Sequence, residues 1–257
     1  VTLPYDEAGD GHPLVLLHAG IADRSMWAEH MPALAEAGFR AVALDLPGFG
    51  EAPISLASGR GEWEDVLAAM DSLGIERAAL VGSSFGGAVA LRAALVAPER
   101  VAALALFSAP ADAIEPSAEL EAVWEAEQEA LGRDDIDAAV EVVLGAWLQP
   151  GAPPELRERV AAMQRRALKL QADGEGPPEP PDPLEEDPDL LTQIEALALL
   201  AAGELDMSDF REGAEAMARA MPNARHEAIP GAGHLAPLEQ PEAFRELLLE
   251  FLRDTPR

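Results

Sequence analysis

The tract Ala78-Ala79-Leu80-Val81-Gly82-Ser83-Ser84-Phe85-Gly86-Gly87 restricts this chain more than any other. A short apolar run of the kind that forms a buried strand passes directly into a glycine-rich turn. A helical pattern, Phe85 to Leu95, follows without a spacer. Gly82 to Gly86 reads G-x-S-x-G, in which the central serine occupies a sharp strand-to-helix turn and the flanking small residues let the backbone pass closely. Such a turn lifts the hydroxyl above the sheet edge and aims the N–H groups of a helix N-terminus at any oxyanion that forms there. A glycine-rich turn with a capping serine is the plainer alternative, and the strand–turn–helix setting argues against it.

The same rhythm extends on both sides. Leu14 to Leu17, Arg40 to Leu44, Ala78 to Val81 and Val101 to Phe107 are apolar runs bounded by Gly, Pro or Asp, as buried parallel strands are. Helical patterns lie between them at Trp27 to Ala37, Trp63 to Leu73 and Phe85 to Leu95. From Ala111 to Thr192 the strands stop, and helical stretches follow one another at Ala118–Leu131, Ile136–Leu148 and Glu155–Gln171. The Pro-rich run Gly174 to Pro183 then reads as an extended connector. Strand candidates return at Ala196 to Ala202 and Ala224 to Ile229, with helices near Asp209 to Met221 and Pro241 to Leu252. The fold class is therefore α/β, a mostly parallel sheet flanked by helices. Residues 1–110 and 193–257 form the core, and 111–192 form a helical insertion.

Composition excludes several functions. The 257 residues carry 47 acidic and 18 basic side chains, a formal charge of −29, which disfavours binding to nucleic acid or an anionic membrane. Halophilic adaptation and an ordinary soluble acidic surface both accommodate that charge. There is no cysteine, so disulfides and thiolate sites are absent, and the five histidines show no clustered spacing of the kind a zinc or haem site uses. No run of 18 apolar residues spans a membrane and no basic amino-terminal leader is visible, so a cytoplasmic location is expected.

A serine hydroxyl needs a base. His234, in the loop Pro230-Gly231-Ala232-Gly233-His234 after the last strand candidate, can reach the carboxyl end of the sheet, where open α/β sheets bind ligands. The acid that orients its imidazole is expected at Asp206, after the strand ending at Ala202; Glu204, Asp209 and Asp112 are its competitors. The loop His18-Ala19-Gly20-Ile21 can place a second oxyanion donor beside the amide of Phe85. His18 is expected to hold that loop by hydrogen bonds, and His12, His30 and His226 to be surface or packing residues.

With these residues in hand the chain resembles the α/β-hydrolase superfamily, specifically its small bacterial esterase and enol-lactonase-like branch. The resemblance rests on LVLLHAGIADRSMW (Leu14 to Trp27), DLPGFG (Asp45 to Gly50), VGSSFGG (Val81 to Gly87), GELD (Gly203 to Asp206) and PGAGHLAPLEQP (Pro230 to Pro241). It implies an α/β-hydrolase fold with a helical cap, Ala111 to Thr192, inserted after the sixth strand. By the same resemblance Ser84 matches the nucleophile, Asp206 the acid and His234 the base, with Gly20 and Phe85 as backbone oxyanion donors. His18-Ala19 stands where the family has His-Gly, which leaves open whether Gly20 or Ile21 supplies the second amide. The amino-terminal hairpin also looks short.

The expected chemistry is cleavage of a small or medium neutral ester or lactone through an acyl-enzyme, with no metal or cofactor. Carbon–carbon bond hydrolysis, a 3-oxoadipate enol-lactonase-like activity and a non-catalytic ligand-binding module are the alternatives. The insertion holds 21 acidic and six basic residues and should disfavour anionic substrates. Ile21, Trp124, Trp147 and Met163 are the candidate pocket residues, although packing of the insertion onto the sheet would account for the last three equally well.

Overall fold

The computed structural model describes residues 2–112, 114–172, 178 and 180–255. Seven strands form one sheet: β1 (Tyr5–Ala8), β2 (His12–Leu17), β3 (Phe39–Leu44), β4 (Ala78–Ser83), β5 (Val101–Phe107), β6 (Leu197–Gly203) and β7 (Ala224–Ile229). Their spatial order is β1-β3-β2-β4-β5-β6-β7, with β1 antiparallel to β3 and every other pair parallel. The helices are α1 (Met31–Glu36), α2 (Glu62–Ser72), α3 (Phe85–Val96), α4 (Ala118–Leu131), α5 (Ile136–Trp147), α6 (Pro154–Ala172), α7 (Pro183–Glu186), α8 (Ser208–Ala220), α9 (Ala236–Glu239) and α10 (Pro241–Arg253).

The central strands are apolar throughout because both faces are covered. Along β2, Leu14 and Leu16 enter one hydrophobic cluster with Leu34 of α1 and Phe244 and Leu248 of α10. Val15 and Leu17 point the other way, into a cluster with Val66 and Met70 of α2, Leu91 of α3 and Met217 of α8. Each such leucine taken from water stabilises the fold by about 1.5–3 kcal/mol, so a one-residue slip that exchanged the faces would be costly.

Two expectations about elements need correction. The stretch Trp27 to Ala37 is not one helix: a 3₁₀ turn at Arg24–Trp27 is followed by the short α1. Pro32, lacking an N–H, sits in the first turn of α1, the place where a helix tolerates it. The insertion follows the fifth strand, not the sixth, because only one strand, β1, precedes β2 among the described residues, and it pairs with β3 instead of forming a hairpin with β2. Helices α4, α5 and α6 do occupy the space between β5 and β6 in sequence. Of the Pro-rich connector, Gly174 to Pro177 and Glu179 lie outside the described residues, and Pro183 opens α7.

From β2 the chain crosses to β3 on one side, then returns to place β4 on the other side of β2. This reversal is the switch point at which open α/β sheets form a crevice at the carboxyl ends of their strands. The loop after β2 carries His18 to Ile21, and the turn after β4 carries Ser84. No helix among the described residues is long and apolar enough to cross a membrane.

Candidate active site

Ser84 stands between β4 and α3 with φ 51° and ψ −117°, a backbone conformation that a side chain other than glycine rarely adopts. The surroundings enforce it. The Ser84 amide donates to the Phe107 carbonyl at 2.7 Å, and the Ser84 carbonyl accepts from the amides of Gly87 at 2.8 Å and Ala88 at 3.1 Å. The flanking glycines are needed for the close approach: a Cβ on Gly82 would lie 2.3 Å from the Gly86 carbonyl oxygen, and one on Gly86 would lie 2.3 Å from that of Leu17. Phe85, the first residue of α3, has an N–H with no carbonyl one turn earlier in the helix to receive it.

His234 Nε2 lies 2.9 Å from Ser84 Oγ, and its Nδ1 lies 3.1 and 3.2 Å from the two carboxylate oxygens of Asp206. A carboxylate only accepts, so Nδ1 carries the proton and Nε2 is left to accept from the serine hydroxyl. Asp206 is fixed by its own turn. Its amide donates to the Gly203 carbonyl at 3.1 Å and its Oδ1 accepts from the Met207 amide at 2.8 Å. The imidazole is held between the rings of Trp147 and Phe210, with centroids at 4.4 and 4.3 Å. Both His234 and Asp206 are buried.

The competing acids are engaged elsewhere. Asp112 and Asp182 pair with Arg92 of α3 at 2.7 and 2.5 Å. Asp209 accepts from the amide and hydroxyl of Ser117, which in turn caps α4, so burial of this carboxylate is outweighed and its pKa is lowered. Glu204 accepts from the Gly231 amide.

His18 is fully buried: its Nδ1 meets the Ala19 carbonyl at 2.9 Å and its Nε2 accepts from the Leu46 amide at 3.0 Å. Burial pushes its pKa down, so it is a neutral fastener of the loop that carries Gly20. The loop is tied to the nucleophile turn by the Gly86 amide, which donates to the His18 carbonyl at 3.1 Å. His30 is likewise buried, with Nε2 at 2.9 Å from the Pro237 carbonyl, while His12 and His226 are exposed.

Ser84 and His234 open into a cavity of about 400 Å³. Gly20, Ile21, Phe85 and Trp147 line it as expected from the sequence. Trp124 and Met163 do not. Trp124 is exposed and borders a separate hollow with Ile114 and Phe210, and Met163 turns towards Ser25 and Arg24. Their places in the cavity wall are taken by near neighbours on the same helices, Glu127 and Leu131 of α4 and Gln164 and Leu168 of α6. Nothing in the sequence separates these faces, because α4 and α6 carry polar residues on several sides. Glu239 was also missed; its carboxylate accepts from the amides of Gly233 at 2.7 Å and Gln149 at 2.8 Å, and burial pushes its pKa up. Among the described residues no group of three or more His, Asp or Glu could hold a metal ion.

The alpha/beta hydrolase family matches residues 14–247. The chain belongs to that family. It is similar to the dihydrolipoyllysine-residue acetyltransferase component of the acetoin cleaving system of Pseudomonas putida, at 32% identity over 95% of this chain and 64% of the relative. It is 30% identical to a 2-hydroxy-6-oxononadienedioate/2-hydroxy-6-oxononatrienedioate hydrolase of Burkholderia vietnamiensis, over 97% of this chain and 90% of that one. The chain spans 64, 44 and 38% of the lengths of the first three curated relatives it matches. Among solved structures, a thermophilic esterase from Thermogutta terrifontis superposes with a TM-score of 0.78 at 29% identity, covering 98% of this chain and 93% of that one. The enol-lactonase of Burkholderia xenovorans LB400 shares the fold, with a TM-score of 0.80 at 24% identity over 98% and 96% of the two chains.

Proposed function

We propose that this alpha/beta hydrolase is a serine hydrolase that cleaves small to medium carboxylic esters or lactones through an acyl-enzyme. The observation that carries the reading is the unbroken line from Ser84 Oγ through His234 to Asp206, at 2.9 and 3.1 Å. His234 Nε2 takes the hydroxyl proton as Ser84 Oγ attacks the carbonyl carbon. The amides of Phe85 and Gly20 receive the oxyanion, a contribution of about 3 kcal/mol per donor in sites of this kind. Asp206 stabilises the imidazolium, which then gives its proton to the departing alkoxide. Water, deprotonated by the same Nε2, attacks the acyl-serine and releases the acid.

The cavity wall supports neutral over anionic substrates: none of its lining residues is Arg or Lys, and it contains a carboxylate. Carbon–carbon bond hydrolysis remains the second reading, favoured by the likeness to the dienedioate hydrolases. Turnover of p-nitrophenyl esters from acetate to decanoate, by the protein and by Ser84→Ala, tests the first. Ester turnover that falls at least about 10³-fold in the variant is expected. Turnover unchanged in the variant overturns the assignment of Ser84.

A further inference from the structure

Glu127 projects from α4 into the cavity that holds Ser84 and His234, and it is half-buried there. Among the described residues it forms no ion pair with any Arg, Lys or His. Its one hydrogen bond comes from Gln164 Nε2, at a long 3.5 Å. Removing a carboxylate from water without a counter-charge is costly, and burial has raised the Glu127 pKa accordingly. Gln164 is the neighbour that makes this contact. It is 4% exposed, lines the same cavity, and its Oε1 accepts no hydrogen bond. The contact to Glu127 fixes which way this amide points, since the reverse orientation would face an oxygen towards the carboxylate. The cavity that holds the reacting serine therefore presents a carboxyl group that no cationic side chain answers.

We propose that Glu127 forms a cation-accepting subsite and that the substrate of the Ser84 centre is an ester or lactone bearing a protonated or quaternary amine. A bound ammonium would supply the missing counter-charge inside the cavity, where the attraction is much stronger than in water. The formal net charge of −29 acts in the same sense by raising the concentration of cations near the protein. The identity of the hydrolysed bond rests on the reading of Ser84 as nucleophile, whereas the subsite can be tested by binding alone.

The test compares acetylcholine with its neutral isostere 3,3-dimethylbutyl acetate, as the ratio of their kcat/KM values, in the protein, Glu127→Gln and Glu127→Asp. A ratio of at least about ten in the protein, falling to within about twofold of one in Glu127→Gln and partly kept in Glu127→Asp, is the expected result. A ratio near one in the protein, or one unchanged in Glu127→Gln, overturns the subsite. Calorimetric titration of Ser84→Ala with tetramethylammonium, and of the same protein also carrying Glu127→Gln, separates the two readings. If no ester is turned over but the cation binds and loses at least tenfold in affinity with Glu127→Gln, the subsite stands and the hydrolase reading falls. If the cation does not bind, or binds equally to both, the subsite falls whatever the esters show.

Discussion

The Glu239 carboxylate accepts the amide of Gly233 at 2.7 Å, one residue before His234, while its other oxygen accepts the amide of Gln149, which follows α5. One side chain from α9 therefore pins the histidine loop and the end of an insertion helix together. Trp147, two residues before Gln149, packs on the His234 ring, so the two tethers act on the same imidazole.

Replacing Glu239 with Ala leaves both amides without their acceptor. Each orphaned N–H costs about 1–3 kcal/mol, so thermal unfolding should show a lowered Tm. Ester turnover should fall mainly in kcat, because the imidazole that transfers the proton is displaced. Glu239→Gln keeps one accepting oxygen and should lose less of both. A Tm and kcat unchanged in Glu239→Ala would show that the tethers are dispensable.

Asp206→Asn should reduce kcat by about 10³–10⁴-fold with little change in stability. The amide keeps the size of the carboxylate, but its NH₂ can favour the wrong imidazole tautomer, which turns an Nε2–H towards Ser84. Steady-state kinetics on the p-nitrophenyl series would measure the loss, and circular dichroism would verify that the fold is retained.

Arg92 joins Asp112, after β5, to Asp182, just before α7, and its side chain is almost wholly buried within α3. Arg92→Met removes the charge and leaves two partly buried carboxylates facing an apolar group. A destabilisation of about 3 kcal/mol is expected in urea unfolding. The effect should appear as a lower midpoint with the same slope.

Acid sensitivity should have a specific source in His30. Burial holds its pKa at about 4, below the ordinary 6.5. Between those two values the unfolded chain binds a proton that the folded protein does not. Stability therefore rises with pH through that window and is lost as pH falls from 6.5 towards 4. The term amounts to about 2–3 kcal/mol at pH 4.5 relative to pH 7. Urea unfolding at both pH values, for the protein and for His30→Asn, isolates it: the variant should lose less stability on acidification by about that amount. His18, also lowered by burial, adds to the remaining sensitivity in the same direction.

The sequence by itself determined the order of the buried strands β2 to β7 and of the longer helices, the serine turn and the succession Ser84, Asp206, His234. These are local: a strand buried on both faces must be apolar along its whole length, and the strained turn at Ser84 admits nothing larger than glycine at positions 82 and 86. Element edges, the break before α1 and the position of the insertion were less legible, since they depend on how the first strands pair.

What only the tertiary structure decided was which side chains meet. Four carboxylates stood near strand ends, and their neighbours allotted them: Arg92 took Asp112, Ser117 took Asp209, the Gly231 amide took Glu204, and only Asp206 faces His234. On α6 Met163, turned away from the cavity, is followed directly by Gln164, which lines it. One step along a helix rotates a side chain by about 100°, and the direction in which that rotation leaves it pointing is set by packing against segments more than a hundred residues away in sequence.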